Sequence, residues 1–126
     1  MTDIDIIKPV IFIDQKKHRI RIHKCTLRQL GYPKFIQILI NPDILTVIIR
    51  CAEQSDKLTH RIIRKNCNDN QSYELYSRYL IEKLQNVCTG WTNNDSYRIC
   101  GEIIVSENIA CFDLHKAVSI CFGRTV

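Results

Sequence analysis

Residues 19–31 read Arg19-Ile20-Arg21-Ile22-His23-Lys24-Cys25-Thr26-Leu27-Arg28-Gln29-Leu30-Gly31, and the apolar period changes partway through. Arg19 to His23 alternates polar and apolar, the pattern of a strand with one face on a core and the other in solvent. Beyond it the spacing lengthens to Leu27 and Leu30, which predicts a short helix capped by Thr26 and stopped by Gly31. Tyr32-Pro33 enforces the break, because a residue before proline is pushed out of helical conformation. Upstream, Val10 to Asp14 reads as a strand, joined to the first by the short polar turn Gln15-Lys16-Lys17-His18. Downstream, Phe35 to Ile40 and Leu45 to Cys51 read as strands around Asn41-Pro42-Asp43, a favourable turn sequence.

A similar order is expected in the second half. Glu53 to Asn70 is polar, a connection with one brief strand at Ile62-Ile63. Ser72 is the expected cap of the longest helix, Tyr73 to Val87, with Leu75, Tyr79, Leu80, Leu84 and Val87 on its apolar face. Glu74 and Glu82 are then expected on its solvent side, and Trp91 as a loop anchor packed against it. Tyr97 to Val105 and Ile109 to Leu114 form a hairpin about Ser106-Glu107-Asn108. The chain thus divides into a strand-helix-hairpin unit at residues 10–52, a connection at 53–71 and a second such unit at 72–121. Neither unit alone could bury a stable core, so an α+β fold is expected, one compact domain over residues 1–126. Exposed strand edges in so small a fold favour a homodimer.

The stretch from Arg19 to Gly31, with Thr46 to Arg50 as closing strand, resembles the opening module of the AbrB and MraZ class of bacterial transcription factors. In that class a basic and apolar strand leads into a short helix ending in Leu-Gly, followed by a hairpin. Two such units in one chain are more similar to MraZ. The resemblance implies a small swapped-hairpin-like β-barrel with two main helices. It also implies transcription regulation by double-stranded DNA binding through basic residues of the N-terminal loop and strands.

Charge placement points the same way. The chain of 126 residues has a formal net charge of +5. Residues 1–35 hold eight bases and three acids, and the other 91 residues hold ten of each, so the whole surplus lies in the first quarter. Such an asymmetry is the electrostatic footprint expected for a polyanion partner. The candidate DNA-binding residues are Lys16, Lys17, Arg19, Arg21, Lys24 and Arg28. Lys16 and Lys17 are placed for phosphate contacts from the turn. Arg19 and Arg21, on the polar face of their strand, suit base or groove contact because a guanidinium can bind guanine through two hydrogen bonds. Lys57, His60, Arg61, Arg64 and Lys65 form a second basic cluster. Tyr32, Phe35, Tyr73, Tyr76, Tyr79 and Trp91 make no motif of an RNA-stacking sheet, and most are expected in the core.

Other classes find little support. An apolar content of 45 % and a charged content of 25 % are those of an ordinary globular protein, not a disordered one. No apolar run reaches the roughly 18 to 20 residues that cross a bilayer. The acidic opening Met1-Thr2-Asp3-Ile4-Asp5 is unlike a secretory signal, so a cytoplasmic location is expected. The seven cysteines lack the paired spacing of a zinc site and read as reduced thiols, with His23-x-Cys25 the nearest approach to a ligand pair. Cys67 could meet His60 or His115, but there is no glycine-rich phosphate loop, nucleophile elbow or His-Glu-x-x-His. No enzyme activity, metal or cofactor is expected. The competing class is a protein-protein interaction module, or an assembly subunit with no direct DNA contact.

Overall fold

The computed structural model describes residues 8–62, 72–92 and 94–120. The chain runs β1 (Val10–Asp14), β2 (Arg19–His23), α1 (Lys24–Gln29), β3 (Phe35–Asn41), β4 (Thr46–Cys51), β5 (Thr59–Arg61), β6 (Ser72–Tyr76), α2 (Arg78–Val87), β7 (Ser96–Ile104), β8 (Ile109–Asp113), a 3-10 turn (Leu114–Lys116) and β9 (Val118–Ile120). The strands make one antiparallel sheet in the order β5-β3-β4-β8-β7-β1-β2-β6, with β9 added alongside β7. The sheet curls so far that its edges meet: the Tyr73 hydroxyl of β6 donates to the Arg61 carbonyl of β5 at 2.9 Å. The two halves of the chain interlock, since β1 pairs with β7, β2 with β6 and β4 with β8.

Strict alternation builds the core. Ile11, Ile13, Ile20, Ile22, Ile36 and Ile49 turn inward and are almost completely enclosed, together with Ile99 and Phe112. Burying each isoleucine stabilises the fold by about 1.5–3 kcal/mol, and their β-branched side chains suit the pleat. The helices close the ends of this interior. α2 buries Leu80, Ile81 and Leu84, and α1 buries Cys25, Thr26 and Leu27.

The α+β expectation, with its small swapped-hairpin-like barrel and two main helices, is overturned. Strand accounts for 47 % of the described residues and helix for 18 %, in a curled half-barrel of nine strands with two short helices. The difference begins at residues 72–76, which are not the start of a long helix. Tyr73 and Leu75 enter the core alternately, and Ser72–Tyr76 pairs in full register with β2. Leu75 and Tyr79 stand four apart as a helix would require, but the backbone of Ser72–Tyr76 supplies the hydrogen bonds that β2 needs on its free side. The helix starts after Ser77, whose side chain accepts the Leu80 amide at 3.2 Å, so the cap is five residues later than expected.

The short helix is also capped differently. His23, not Thr26, is the N-cap, its Nδ1 accepting the Cys25 amide at 3.0 Å. Thr26 is enclosed within the helix and its hydroxyl accepts the Val10 amide at 3.3 Å, tying α1 to β1. The brief strand of the connection is Thr59–Arg61 rather than Ile62-Ile63. Ile63 and the rest of the connection through Gln71 lie outside the described residues.

On β5 the half-buried His60 stands opposite Ile36, and burial pushes its pKa below the ordinary 6.5. The unfolded chain then takes up a proton more readily than the folded one. This contribution to stability is complete above pH 6.5 and is lost as pH falls toward the depressed folded value. His60→Gln should flatten that part of a stability-versus-pH curve measured by urea denaturation.

Candidate nucleic-acid interface

The outer face of β6, β2, β1, β7 and β9 gathers most of the candidate residues. Register fixes their order. One row across the strands runs Glu74, Arg21, Phe12, Arg98 and Val118, and the next runs Tyr76, Arg19, Asp14, Ser96 and Ile120. Lys16 and Lys17 project from the turn at the end of this face and are exposed. Lys24 and Arg28 are also exposed but lie on α1, beyond the far end of β2. A five-residue strand separates them from the turn by roughly 15 Å. The six candidates therefore form two groups, not one patch.

Arg19 is not a free recognition side chain. Its guanidinium bonds Asp14 Oδ2 at 2.9 Å and Glu74 Oε2 at 3.5 Å, with only 13 % of the side chain exposed. Burial opposes its charge, but hydrogen bonds to Asp14 and Tyr76 and the nearby Glu74 carboxylate outweigh burial and raise its pKa further. Base or groove contact by Arg19, expected from the alternation alone, would require breaking this network. Arg21, 38 % exposed, has its Nε 3.1 Å from the same Glu74 oxygen. Arg19→Ala should cost about 2 kcal/mol in denaturant titrations, because it takes a cation from two partly buried carboxylates, Asp14 and Glu74.

The turn carrying Lys16 and Lys17 is held from below by Gln15. This side chain is enclosed, donates to the carbonyls of Thr92 and Asp95 at 2.8 and 2.7 Å, and accepts from Gln85 at 2.9 Å. Asp14 Oδ1 accepts the Lys17 amide at 3.2 Å, and His18 closes the turn at φ 52°. Gln15→Ala removes three interactions and should lower stability by about 2–3 kcal/mol by chemical denaturation.

The remaining sequence candidates are distributed as follows. Lys57 and Arg61 are exposed at the β5 edge, which meets the β6 edge of this face, while Arg64 and Lys65 lie outside the described residues. His23-x-Cys25 is a helix cap, with the Cys25 thiol enclosed against the Lys8 carbonyl at 3.7 Å. Among the described residues no group of three His, Cys, Asp or Glu could hold a metal. His115 pairs with Asp113 at 2.8 Å, and Cys67 is outside the described residues. Tyr73 is buried, but Tyr32, Tyr76 and Tyr79 are exposed, contrary to their expected core role. Trp91 stacks on Tyr97 with ring centroids 4.3 Å apart. Cys100 is exposed, whereas Cys25 and Cys88 are buried, and burial pushes the Cys88 thiol up to about 11. Brief alkylation of the native protein should modify Cys100 and spare Cys25 and Cys88, as read by peptide mass mapping.

Three residues of this face escaped the sequence reading. By its spacing Glu74 falls in a helix, Phe12 is one residue of a strand, and Arg98 lies far along the chain from the basic quarter. The alternation Tyr73, Glu74, Leu75, Tyr76 was the available signal for the first. Nothing local signals that Arg98 stands opposite Phe12.

No protein-family model, characterised protein or solved structure matched this chain. Among the described residues no helix is long and apolar enough to cross a membrane.

Proposed function

We propose that the protein is a non-enzymatic double-stranded DNA-binding protein whose contact surface is the β1–β2 turn and the adjoining outer face. The supporting observation is the placement of Lys16 and Lys17 on a rigidly held turn beside Arg21, with Arg98 flanking Phe12 on the same face. Asp14 and Glu74 offset two of the positive charges, yet the surface retains a cationic surplus. β1 and β2 are enclosed on both sides by β7 and β6, so they cannot enter a groove as a free ribbon. Binding then comes mainly from phosphate contacts by the turn lysines and exposed arginines, with Arg19 a positioning residue. The test is duplex affinity across a salt series, comparing the wild type with Lys16→Ala/Lys17→Ala.

A second observation favours a protein partner. On the outer face of β3, β4 and β8, Leu39, Ile48 and Cys111 stand side by side, with Ile109 and Ile104 paired in the neighbouring row. Val105, 84 % exposed, extends this apolar strip at the β7–β8 turn. A second copy of the chain packing there would make the expected homodimer. Sedimentation of the wild type against Ile48→Glu distinguishes this, since a charge in that strip would dissociate the dimer.

A further inference from the structure

The outer face carries a cleft of about 450 Å³, lined by Phe12, Asp14, Arg19, Arg21, Ser96 and Ile120. Four adjacent strands contribute to it, from Arg19 on β2 through Asp14 and Ser96 to Ile120 on β9. At roughly 4.8 Å per strand the cleft is about 14 Å across, the length of a molecule with one or two rings. Phe12 and Ile120 give it apolar walls, and the arginines give it a polar end. Apolar walls with a few convergent polar groups are the usual make-up of a small-molecule site.

Arg21 is ion-paired with Glu74 on its Nε side. One Glu74 oxygen serves both guanidiniums, lying 3.5 Å from Arg19 Nη1 and 3.1 Å from Arg21 Nε. The Arg21 approach is too oblique for a hydrogen bond, and the enclosed Nε atoms of Arg19 and Arg21 have no hydrogen-bond partner among the described residues. Arg19 is nevertheless fixed through its other nitrogens, by Asp14 at 2.9 Å and by Glu74. Arg21 is engaged only by that side-on approach, so its planar fork is available to an incoming anion. With Nε enclosed, the exposed part of the Arg21 side chain is what an incoming carboxylate can meet.

We propose that this cleft binds a small organic acid, with its carboxylate on the Arg21 guanidinium and its flat apolar body between Phe12 and Ile120. A carboxylate matches the guanidinium fork through two parallel hydrogen bonds. It is preferred to a phosphate ester because Asp14 lines the cleft and Glu74 is ion-paired with Arg21, and a dianion would meet their repulsion more strongly. The cleft shares Arg21 with the proposed DNA surface, so ligand and DNA would compete for that side chain, but its ligand binds the free protein.

The test is titration of the full chain with 3-phenylpropionate, 3-phenylpropanamide and phenyl phosphate, without DNA. Backbone amide and arginine Nε–H resonances are followed by two-dimensional NMR. The carboxylate should produce saturable shifts at Phe12, Arg21 and Ser96. The neutral amide and the phosphate should each bind at least about tenfold more weakly. Arg21→Gln should lose the carboxylate preference, and Phe12→Ala should weaken binding of both uncharged and charged probes. No saturable shift at millimolar carboxylate overturns the proposal, as does equal affinity for acid and amide. The acid-against-amide comparison is made on the wild type, so it decides the matter even if Arg21→Gln fails to fold. Because no DNA is present, failure here leaves the DNA-binding proposal intact, and the reverse also holds.

Discussion

Gly101→Ala should lower the thermal midpoint by roughly 10 °C, a loss of about 3 kcal/mol, although it adds one methyl group. Gly101 lies on β7 directly opposite Phe112 on β8. The Phe112 ring is completely buried and lies across the glycine, so a Cβ there would overlap the Cys111 carbonyl oxygen and sit 2.5 and 2.8 Å from two ring carbons. The carbonyl belongs to the sheet backbone and cannot swing aside like the end of a flexible side chain. Relief requires parting β7 from β8, which carry the centre of the sheet. Phe112→Ala should itself cost about 3–5 kcal/mol through the lost burial and the cavity left behind. The double variant Gly101→Ala/Phe112→Ala should be somewhat less damaging than the two single losses added, because removing the ring relieves two of the three close approaches while the one to the Cys111 carbonyl stays. Strict additivity in denaturant titrations would mean that the pair does not touch.

Lys16→Glu/Lys17→Glu should weaken duplex DNA binding by on the order of a hundredfold or more at about 50 mM salt, with no change in thermal midpoint. Both side chains are exposed on the turn, so reversing their charge disturbs no packing. The turn keeps its shape because its support comes from Gln15, Asp14 and the His18 backbone rather than from the lysines' side chains. Each cation lost from a phosphate contact removes the release of about one counterion, and an introduced carboxylate adds repulsion. Arg19→Ala is a poorer probe, since its chief effect is on the ion pairs with Asp14 and Glu74. Lys24→Ala/Arg28→Ala, beyond the other end of β2, should have the smaller effect.

The strands were legible where alternation was clean. Arg19-Ile20-Arg21-Ile22-His23 and Val10 to Asp14 occupy the expected residues, and the turn between them lies at residues 15–18. In the second half two periods coincide, and the sequence alone does not separate them. Leu75, Tyr79, Leu80, Leu84 and Val87 satisfy a helical face, but the choice at Leu75 is made by pairing with β2, more than fifty residues earlier. The same long-range pairing converts Glu74 from a helix surface residue into the shared partner of Arg19 and Arg21. Gln15 read as an ordinary polar turn residue because its three partners, Gln85, Thr92 and Asp95, come from α2 and the loop after it. The basic concentration was plain from sequence. Its division into a turn group and a helix group follows from the direction in which the chain leaves β2.

Binding of the wild-type chain to a random-sequence duplex, measured across a salt series, tests DNA recognition most directly. With Lys16, Lys17, Arg21 and Arg98 on phosphates, the logarithm of affinity should fall against the logarithm of salt with a slope of about −3 to −4. Lys16→Ala/Lys17→Ala should reduce that slope by about 2. Absence of binding at the lowest salt, or a slope unchanged by the double substitution, would contradict DNA recognition by this surface.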